Sequence, residues 1–324
     1  MSEPPTIAVL GAGAWGTALA VLNAKAGKTV TLWARDAQRA AAMRQSRDNP
    51  HLAGVKLPEN LAITSEFPGA DIFLVCVPVQ HVRATLAGLP VSSAPLVICC
   101  KGMEAKTLLL PPEVFAACRP AQCTAILTGP NFAGEVANGL PAAAVLAMPD
   151  AAARGKIIEA LHTPTLRLYG SGDIIGAALG GAAKNVIAIA SGVVISAGLG
   201  ENARAALITR GIVEIARLAA ALGGRAETLT GLSGLGDLLL TCTGPSSRNF
   251  SLGVELGKGR KLAEILAGRT GVTEGVATAP ALLARANALG VDMPLTAAVA
   301  ALLAEQMTIS QTVQALMGRA LRDE

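Results

Sequence analysis

The run Ile7-Ala8-Val9-Leu10-Gly11-Ala12-Gly13-Ala14-Trp15-Gly16 decides the fold. Four apolar residues read as a buried strand, and they break into a G-x-G-x-x-G turn that opens a helix, Thr17 to Ala26, leading to a second strand. In that setting each glycine has a task. Gly11 permits the tight turn, Gly13 lets a pyrophosphate approach the backbone, and Gly16 lets helix and strand pack closely, while the helix start offers unpaired N–H groups to an anion. The expectation is a dinucleotide-binding βαβ unit.

The second strand ends at Leu32-Trp33-Ala34-Arg35-Asp36. An NAD-specific fold places an acid there against the ribose hydroxyls, and an NADP-binding one places an arginine near the 2′-phosphate. Arg35 precedes Asp36, so the cofactor is NADP or NAD with NADPH favoured, and Asp36 reads as an N-cap for the next helix.

Working outward, strands are expected at Ile7–Leu10, Thr29–Trp33, Ile72–Val77, Leu96–Cys100, Ala125–Leu127, Ala143–Ala147 and Leu166–Tyr169, alternating with Ala-rich helical stretches. That is the pattern of a parallel sheet with crossover helices. After Gly170 the β-branched runs stop, and Ala/Leu/Ile stretches broken at Gly-rich joints continue to the end. The fold class is therefore an α/β Rossmann-type N-terminal domain (1–169) followed by an all-α C-terminal domain (170–324), with Ser171 or Asp173 capping the first helix of the second half.

Composition agrees. The chain has 324 residues, 52% apolar and 15% charged, a length suited to two domains and a composition that excludes disorder. Five Phe, two Trp and one Tyr leave the core to Ala, Leu, Val and Ile. A net charge of +4 without basic runs interleaved with aromatics argues against nucleic acid. The six cysteines show no C-x-x-C spacing, and the chain opens Met-Ser-Glu-Pro-Pro, which reads as reduced, cytoplasmic thiols without a signal peptide. Lys184 and Asn185 interrupt the most apolar stretch, Ile174 to Leu199, so no transmembrane segment is expected. His51, His81 and His162 are scattered, and no metal site is expected.

Several polar groups stand in apolar text. Lys184-Asn185 lies in the most hydrophobic helix, and lysine is almost never buried without a partner. Complete desolvation costs such a lysine about 4 to 7 kcal/mol, whereas a carboxylate about 4 Å away returns about 4 kcal/mol at an effective dielectric near 20. The balance suits a proton donor. Asp237, between glycines and three leucines, is the carboxylate candidate, with an N-cap role for the Leu238 helix as the alternative. Ser246-Ser247-Arg248-Asn249 brings hydroxyl, guanidinium and helix-start amides together, which suits a substrate phosphate, although capping alone would account for the serines. Lys101 and the loop Gly129-Pro130-Asn131-Phe132-Ala133 follow strands on the ligand-binding edge of the sheet, and both are expected to face a cleft between the domains.

These stretches, with Gly181-Ala182-Ala183-Lys184-Asn185-Val186, Asn202 to Gly211, Gly231 to Leu238, Thr241-Cys242-Thr243 and Val272-Thr273-Glu274-Gly275-Val276, closely resemble bacterial NAD(P)-dependent glycerol-3-phosphate dehydrogenases from about Ile7 to Pro294. The resemblance implies that Lys184 is the catalytic acid/base with Asp237 beside it. It implies a glycerol-phosphate site of Lys101, Gly129, Asn131, Lys184, Asp237, Ser247, Arg248 and Asn249. It implies cofactor contacts at Trp15, Arg35, Lys101, Ala133, Arg248, Val272 and Glu274, beside the loop glycines Gly11, Gly13 and Gly16 read from the motif. Departures are Asn131, where the family usually has Ser or Thr, Ala178, where many members carry Glu or Gln, and the segment from Asn49 to Val55, a residue short and without the usual Leu-Pro, which leaves His51 unassigned.

The implied reaction is NAD(P)H-dependent reduction of dihydroxyacetone phosphate to sn-glycerol 3-phosphate, supplying glycerophospholipid synthesis. Two rivals remain at this point. A 3-hydroxyacid dehydrogenase of similar architecture would put a substrate carboxylate at Arg248, and a non-catalytic nucleotide-sensing protein would leave Lys184 and Asp237 unexplained. The partners expected are the two phosphates, no nucleic acid and, without being fixed by the sequence, a second copy in a homodimer.

Overall fold

The computed structural model describes residues 4–269 and 272–320. The Met1-Ser2-Glu3 opening and the end of the helical run, 321–324, lie outside the described residues. Contacts divide the chain into two compact units. The first comprises residues up to Lys101 together with Leu109–Ala178, and the second comprises Gly102–Leu108 with the residues from Leu179 onward.

The first unit is built on one eight-stranded sheet in the order β3-β2-β1-β4-β5-β6-β7-β8. Its strands are β1 (Ile7–Leu10), β2 (Val30–Trp33), β3 (Leu61–Thr64), β4 (Ile72–Val75), β5 (Leu96–Ile98), β6 (Thr124–Thr128), β7 (Ala142–Ala147) and β8 (Leu166–Ser171). Helices α1 (Ala14–Lys25), α2 (Ala37–Ser46), α3 (Val82–Gly88), α4 (Pro111–Cys118), α5 (Ala133–Ala137) and α6 (Ala151–Leu161) connect them. Strands β1 and β4 are buried at every residue, as expected when helices cover both faces of a sheet. Helix α1 is buried continuously from Gly16 to Ala24, which explains why its sequence is apolar on all sides.

Two features depart from the sequence expectation. The parallel pattern holds at every pairing except β6 with β7, which run antiparallel. The element between them, α5, has five residues. The chain returns beside β6 in the opposite direction, which apolar runs do not report, because a strand covered on both faces is equally apolar whichever way it runs. Strand β3 was not expected either. It is an edge strand, and Leu61 and Ile63 face inward while Ala62 is exposed. Its period-2 alternation was present in the sequence but spans only four residues.

Beyond β8 the described residues form helices without further strands. They are α7 (Ile174–Ser196), α8 (Gly200–Ala221), α9 (Asp237–Thr243), α10 (Arg248–Gly257), α11 (Leu262–Ala267), α12 (Glu274–Ala288), α13 (Pro294–Leu303) and α14 (Ile309–Met317). Asp173 caps α7, its Oδ1 accepting from Gly176 N at 2.8 Å, and the Asp173 amide itself donates to Ser171 Oγ. Among the described residues α7 alone is long and apolar enough to cross a membrane, yet 89% of its most apolar window is buried inside the fold, as in the core helix of a globular domain. Small residues let its neighbours approach. A Cβ on Gly192 would stand 2.1 Å from Phe250 O, and one on Gly253 would stand 2.0 Å from Ile189 O, so α7 and α10 touch backbone to backbone.

Candidate active site

In the first unit the predicted residues gather at the C-terminal ends of the parallel strands, where ligands bind in open α/β sheets. Gly11 leaves β1 at φ +114°, a conformation open to glycine, and a Cβ on Gly16 would stand 2.0 Å from Gly11 O. Around Gly13, by contrast, nothing lies within 4 Å of an added Cβ. Gly13 is the N-cap of α1 and brings no capping side chain, so the first-turn N–H groups lack helical partners. An uncapped helix start beneath an open glycine fits a dinucleotide pyrophosphate. Beside it the Trp15 indole N–H is buried without a partner among the described residues.

Arg35 is exposed just beyond β2, and Asp36 is the N-cap of α2, accepting from Arg39 N at 2.7 Å. Lys101, following β5, donates to Gly129 O at 3.3 Å, which ties it to the loop after β6. Asn131 Nδ2 donates to Ala143 O at 3.1 Å, whereas its Oδ1 is buried without a partner among the described residues. The amide thus keeps an acceptor in reserve where a serine or threonine would offer a hydroxyl. Ala133 opens α5. His51 sits exposed in the 3-10 turn Pro50–Leu52, its backbone N–H donating to Asn49 Oδ1.

The second unit holds the buried ion pair. Lys184, 7% exposed in mid-α7, forms an ion pair with Asp237, which is fully buried at the first position of α9. The capping alternative for Asp237 is overturned: Gly236 is the N-cap, and the carboxylate is spent on the ammonium. Lys184 Nζ also donates to Thr241 Oγ1 at 3.0 Å, and that hydroxyl donates to Asp237 O at 2.6 Å. One turn of α9 therefore presents carboxylate and hydroxyl together. The π-helical turn Leu232–Gly236 leads into it, and a Cβ on Gly180 would stand 2.4 Å from Ser233 O, which brings this turn against α7. Next along, Cys242 is fully buried, and burial pushes its thiol up to about 12 despite the nearby ammonium.

Asn185 connects this pair to the phosphate-site candidates. Its Oδ1 accepts from Asn249 Nδ2 at 3.0 Å and its Nδ2 donates to Glu274 Oε2 at 3.2 Å. Asn249 Oδ1 in turn accepts from Gly275 N at 3.0 Å. The starts of α10 and α12 are thereby fastened to α7 next to Lys184. Of the two adjacent serines, Ser247 caps α10, accepting from Phe250 N at 3.2 Å, while Ser246 is exposed and does not cap. Arg248, first in α10, is exposed, and Val272 is 52% exposed. Sequence reasoning missed Thr241, Asn185 and Arg269, whose guanidinium donates to Arg248 O at 2.7 Å and Ser251 Oγ at 3.0 Å. Thr241 and Asn185 stood inside quoted motifs. Arg269 carried no signal, since one arginine in a polar stretch looks like any surface cation.

Comparison with known proteins agrees with this geometry. Residues 6–154 match the family model for the NAD-dependent glycerol-3-phosphate dehydrogenase N-terminus, and residues 173–314 match that for its C-terminus. The chain belongs to the NAD-dependent glycerol-3-phosphate dehydrogenase family. A family member from Acidiphilium cryptum, glycerol-3-phosphate dehydrogenase [NAD(P)+], is 57% identical over 324 residues, 100% of both chains. One of the same name from Gluconobacter oxydans is 52% identical over 98% of both. The crystal structure of glycerol-3-phosphate dehydrogenase from Coxiella burnetii superposes with a TM-score of 0.92 at 37% identity, covering 98% of this chain and 99% of that one. As a dehydrogenase of this family the chain takes NAD or NADP as cofactor, for which the open glycine loop is suited.

Proposed function

We propose that the protein reduces dihydroxyacetone phosphate to sn-glycerol 3-phosphate, with Lys184 as the proton donor. The observation that carries this reading is the buried Lys184–Asp237–Thr241 cluster, a lysine ion-paired and fixed in direction on an apolar helix. The reduced nicotinamide, when bound, supplies the hydride to the ketone carbon. Lys184 gives its proton to the developing alkoxide and is left as a neutral amine, and Asp237 with Thr241 orients the ammonium up to that transfer. Arg248 and the first-turn amides of α10 grip the phosphate, with Ser247 and Asn249 defining the rim, and Arg269 braces the Arg248 carbonyl. On the nucleotide side Lys101, Gly129 and Asn131 serve the substrate, Asn131 accepting from a substrate hydroxyl through its unpartnered Oδ1. Gly11, Gly13, Trp15, Gly16, Arg35, Ala133, Val272 and Glu274 serve the cofactor, and Arg35 favours NADPH by pairing with its 2′-phosphate.

In this reading the nucleotide-binding domain is 1–169 and the substrate domain 170–324, and the enzyme works in the cytoplasm, where its six cysteines, none of them in a disulfide, stay thiols. The homodimer is proposed on the half-covered apolar face of α14, a helix with no buried side chain, and a monomeric mass by light scattering would dismiss it. Activity is tested by NADPH oxidation with dihydroxyacetone phosphate against unphosphorylated ketones and 2- and 3-keto acids. Turnover confined to the phosphorylated ketone is expected, and faster turnover of a keto acid would overturn the reading.

A further inference from the structure

Asn49 lies between α2 and β3, outside every residue assigned so far, and is 2% exposed. Its carboxamide is fully used. Nδ2 donates to Ala12 O at 3.0 Å and to Thr17 Oγ1 at 2.6 Å, while Oδ1 accepts from Arg39 Nη2 at 3.0 Å and from His51 N at 3.1 Å. Ala12 O can only accept and His51 N–H can only donate, so no flipped amide would satisfy this set. Arg39 Nη2 donates to the same Ala12 carbonyl. Two donors from outside the glycine loop thus converge on one loop oxygen.

The consequence follows from peptide geometry. In a planar trans peptide the C=O of one residue and the N–H of the next point in opposite directions. A clamp that draws the Ala12 carbonyl toward Asn49 and Arg39 turns the Gly13 N–H away from that pair, and Gly13 itself is open, since an added Cβ there would meet nothing within 4 Å. Were the Ala12–Gly13 peptide to rotate, a carbonyl oxygen would face the anion in place of a donor. Thr17 closes the device from the helix side: its hydroxyl is fully buried against Asn49, and its N–H donates to Gly13 O at 2.9 Å.

We propose that Asn49 is a positioning residue for cofactor binding, which locks the Ala12–Gly13 peptide of the glycine loop in the orientation that presents an N–H to the dinucleotide pyrophosphate. The proposal rests on the glycine loop being the dinucleotide site. Arg39 assists by holding the same carbonyl, and its guanidinium adds positive charge behind the loop.

Asn49→Asp is the sharp test, because it replaces the donor facing Ala12 O with an oxygen at unchanged volume, and Asn49→Ala removes the clamp without repulsion. Dissociation constants of the full chain are measured by calorimetry for ADP-ribose, which carries the pyrophosphate, and for adenosine 2′-monophosphate, which does not. The expected result is ADP-ribose binding weakened about tenfold or more in N49D and severalfold in N49A, the scale of one lost hydrogen bond to a charged group, with adenosine 2′-monophosphate changed less than twofold. Equal weakening of both ligands would mean general loosening of the domain and would overturn the proposal, as would ADP-ribose constants within twofold of wild type in both variants. Wild-type protein that binds adenosine 2′-monophosphate but not ADP-ribose would instead remove the glycine-loop reading. Should N49D not fold, N49A with the same two ligands decides alone.

Discussion

Replacing Lys184 by methionine keeps most of the volume and removes the charge, leaving Asp237 fully buried opposite a thioether. An ion buried after loss of its partner costs about 3–5 kcal/mol, a large share of the stability of an ordinary domain. Asp237→Leu makes the complementary error by stranding the ammonium, and the same range is expected. The double variant K184M/D237L is different. It removes both charges, and Thr241 keeps its bond to the residue-237 carbonyl, which the substitution does not touch. An apolar pair of similar volume is neutral or stabilising in such positions, so the double variant should unfold within about 1 kcal/mol of wild type, although the two single losses would add to about 6–10 kcal/mol. Urea unfolding of the cofactor-free chain at pH 7, followed by circular dichroism, measures all four proteins. Every variant lacking Lys184 should have lost turnover, including the restabilised double, which separates catalytic need from structural need. Additive losses in the double variant, or a K184M cost below about 1 kcal/mol, would refute the view that this pair is a desolvated charge held for function.

Three further outcomes are expected. Glu214 of α8 caps α13 from a buried position, accepting from Leu295 N at 2.7 Å and Thr296 N at 3.3 Å, yet burial still raises its carboxyl from 4.5 to about 7. Its folded form therefore prefers the proton, and stability present below pH 4.5 is lost as pH rises through 7, by at most about 3 kcal/mol; Glu214→Gln should gain on wild type between pH 5 and pH 8, and a pH-independent difference would contradict this. Arg35→Ala should raise the KM for NADPH by about tenfold or more while leaving that for NADH within about twofold, as loss of a charge-assisted bond to the 2′-phosphate requires; parallel changes for both cofactors would exclude that contact. Cys242, with its thiol near 12, should resist iodoacetamide at pH 8 in the native protein and react once urea unfolds it; rapid native alkylation would show the α9 region to be open.

Much of the architecture was readable because periodicity reports burial. Strand β1 appears where expected and the others within two residues of it, since a sheet covered on both faces needs apolar runs. What escaped was an edge and a direction: β3 alternates over too few residues to stand out, and the antiparallel return to β7 is a strand direction that an apolar run does not record. The site divides in the same way. Lys184 and Asp237 announced themselves as charges in apolar text, whereas Thr241, Asn185 and Asn49 are neutral polar residues whose partners give them meaning.

The sequence by itself determined the βαβ start with its glycine turn, the change from sheet to helices, and the presence of charges that needed buried partners. Tertiary structure alone decided the pairing, joining Lys184 to a carboxylate 53 residues away and Asn185 to an amide 64 residues away, and aiming the Asn49 amide at the Ala12 carbonyl 37 residues before it. The reason is physical. Hydrophobic spacing fixes which side of a helix or strand leaves water, but a hydrogen bond requires a direction and a distance of about 3 Å, and these exist only after helices have packed.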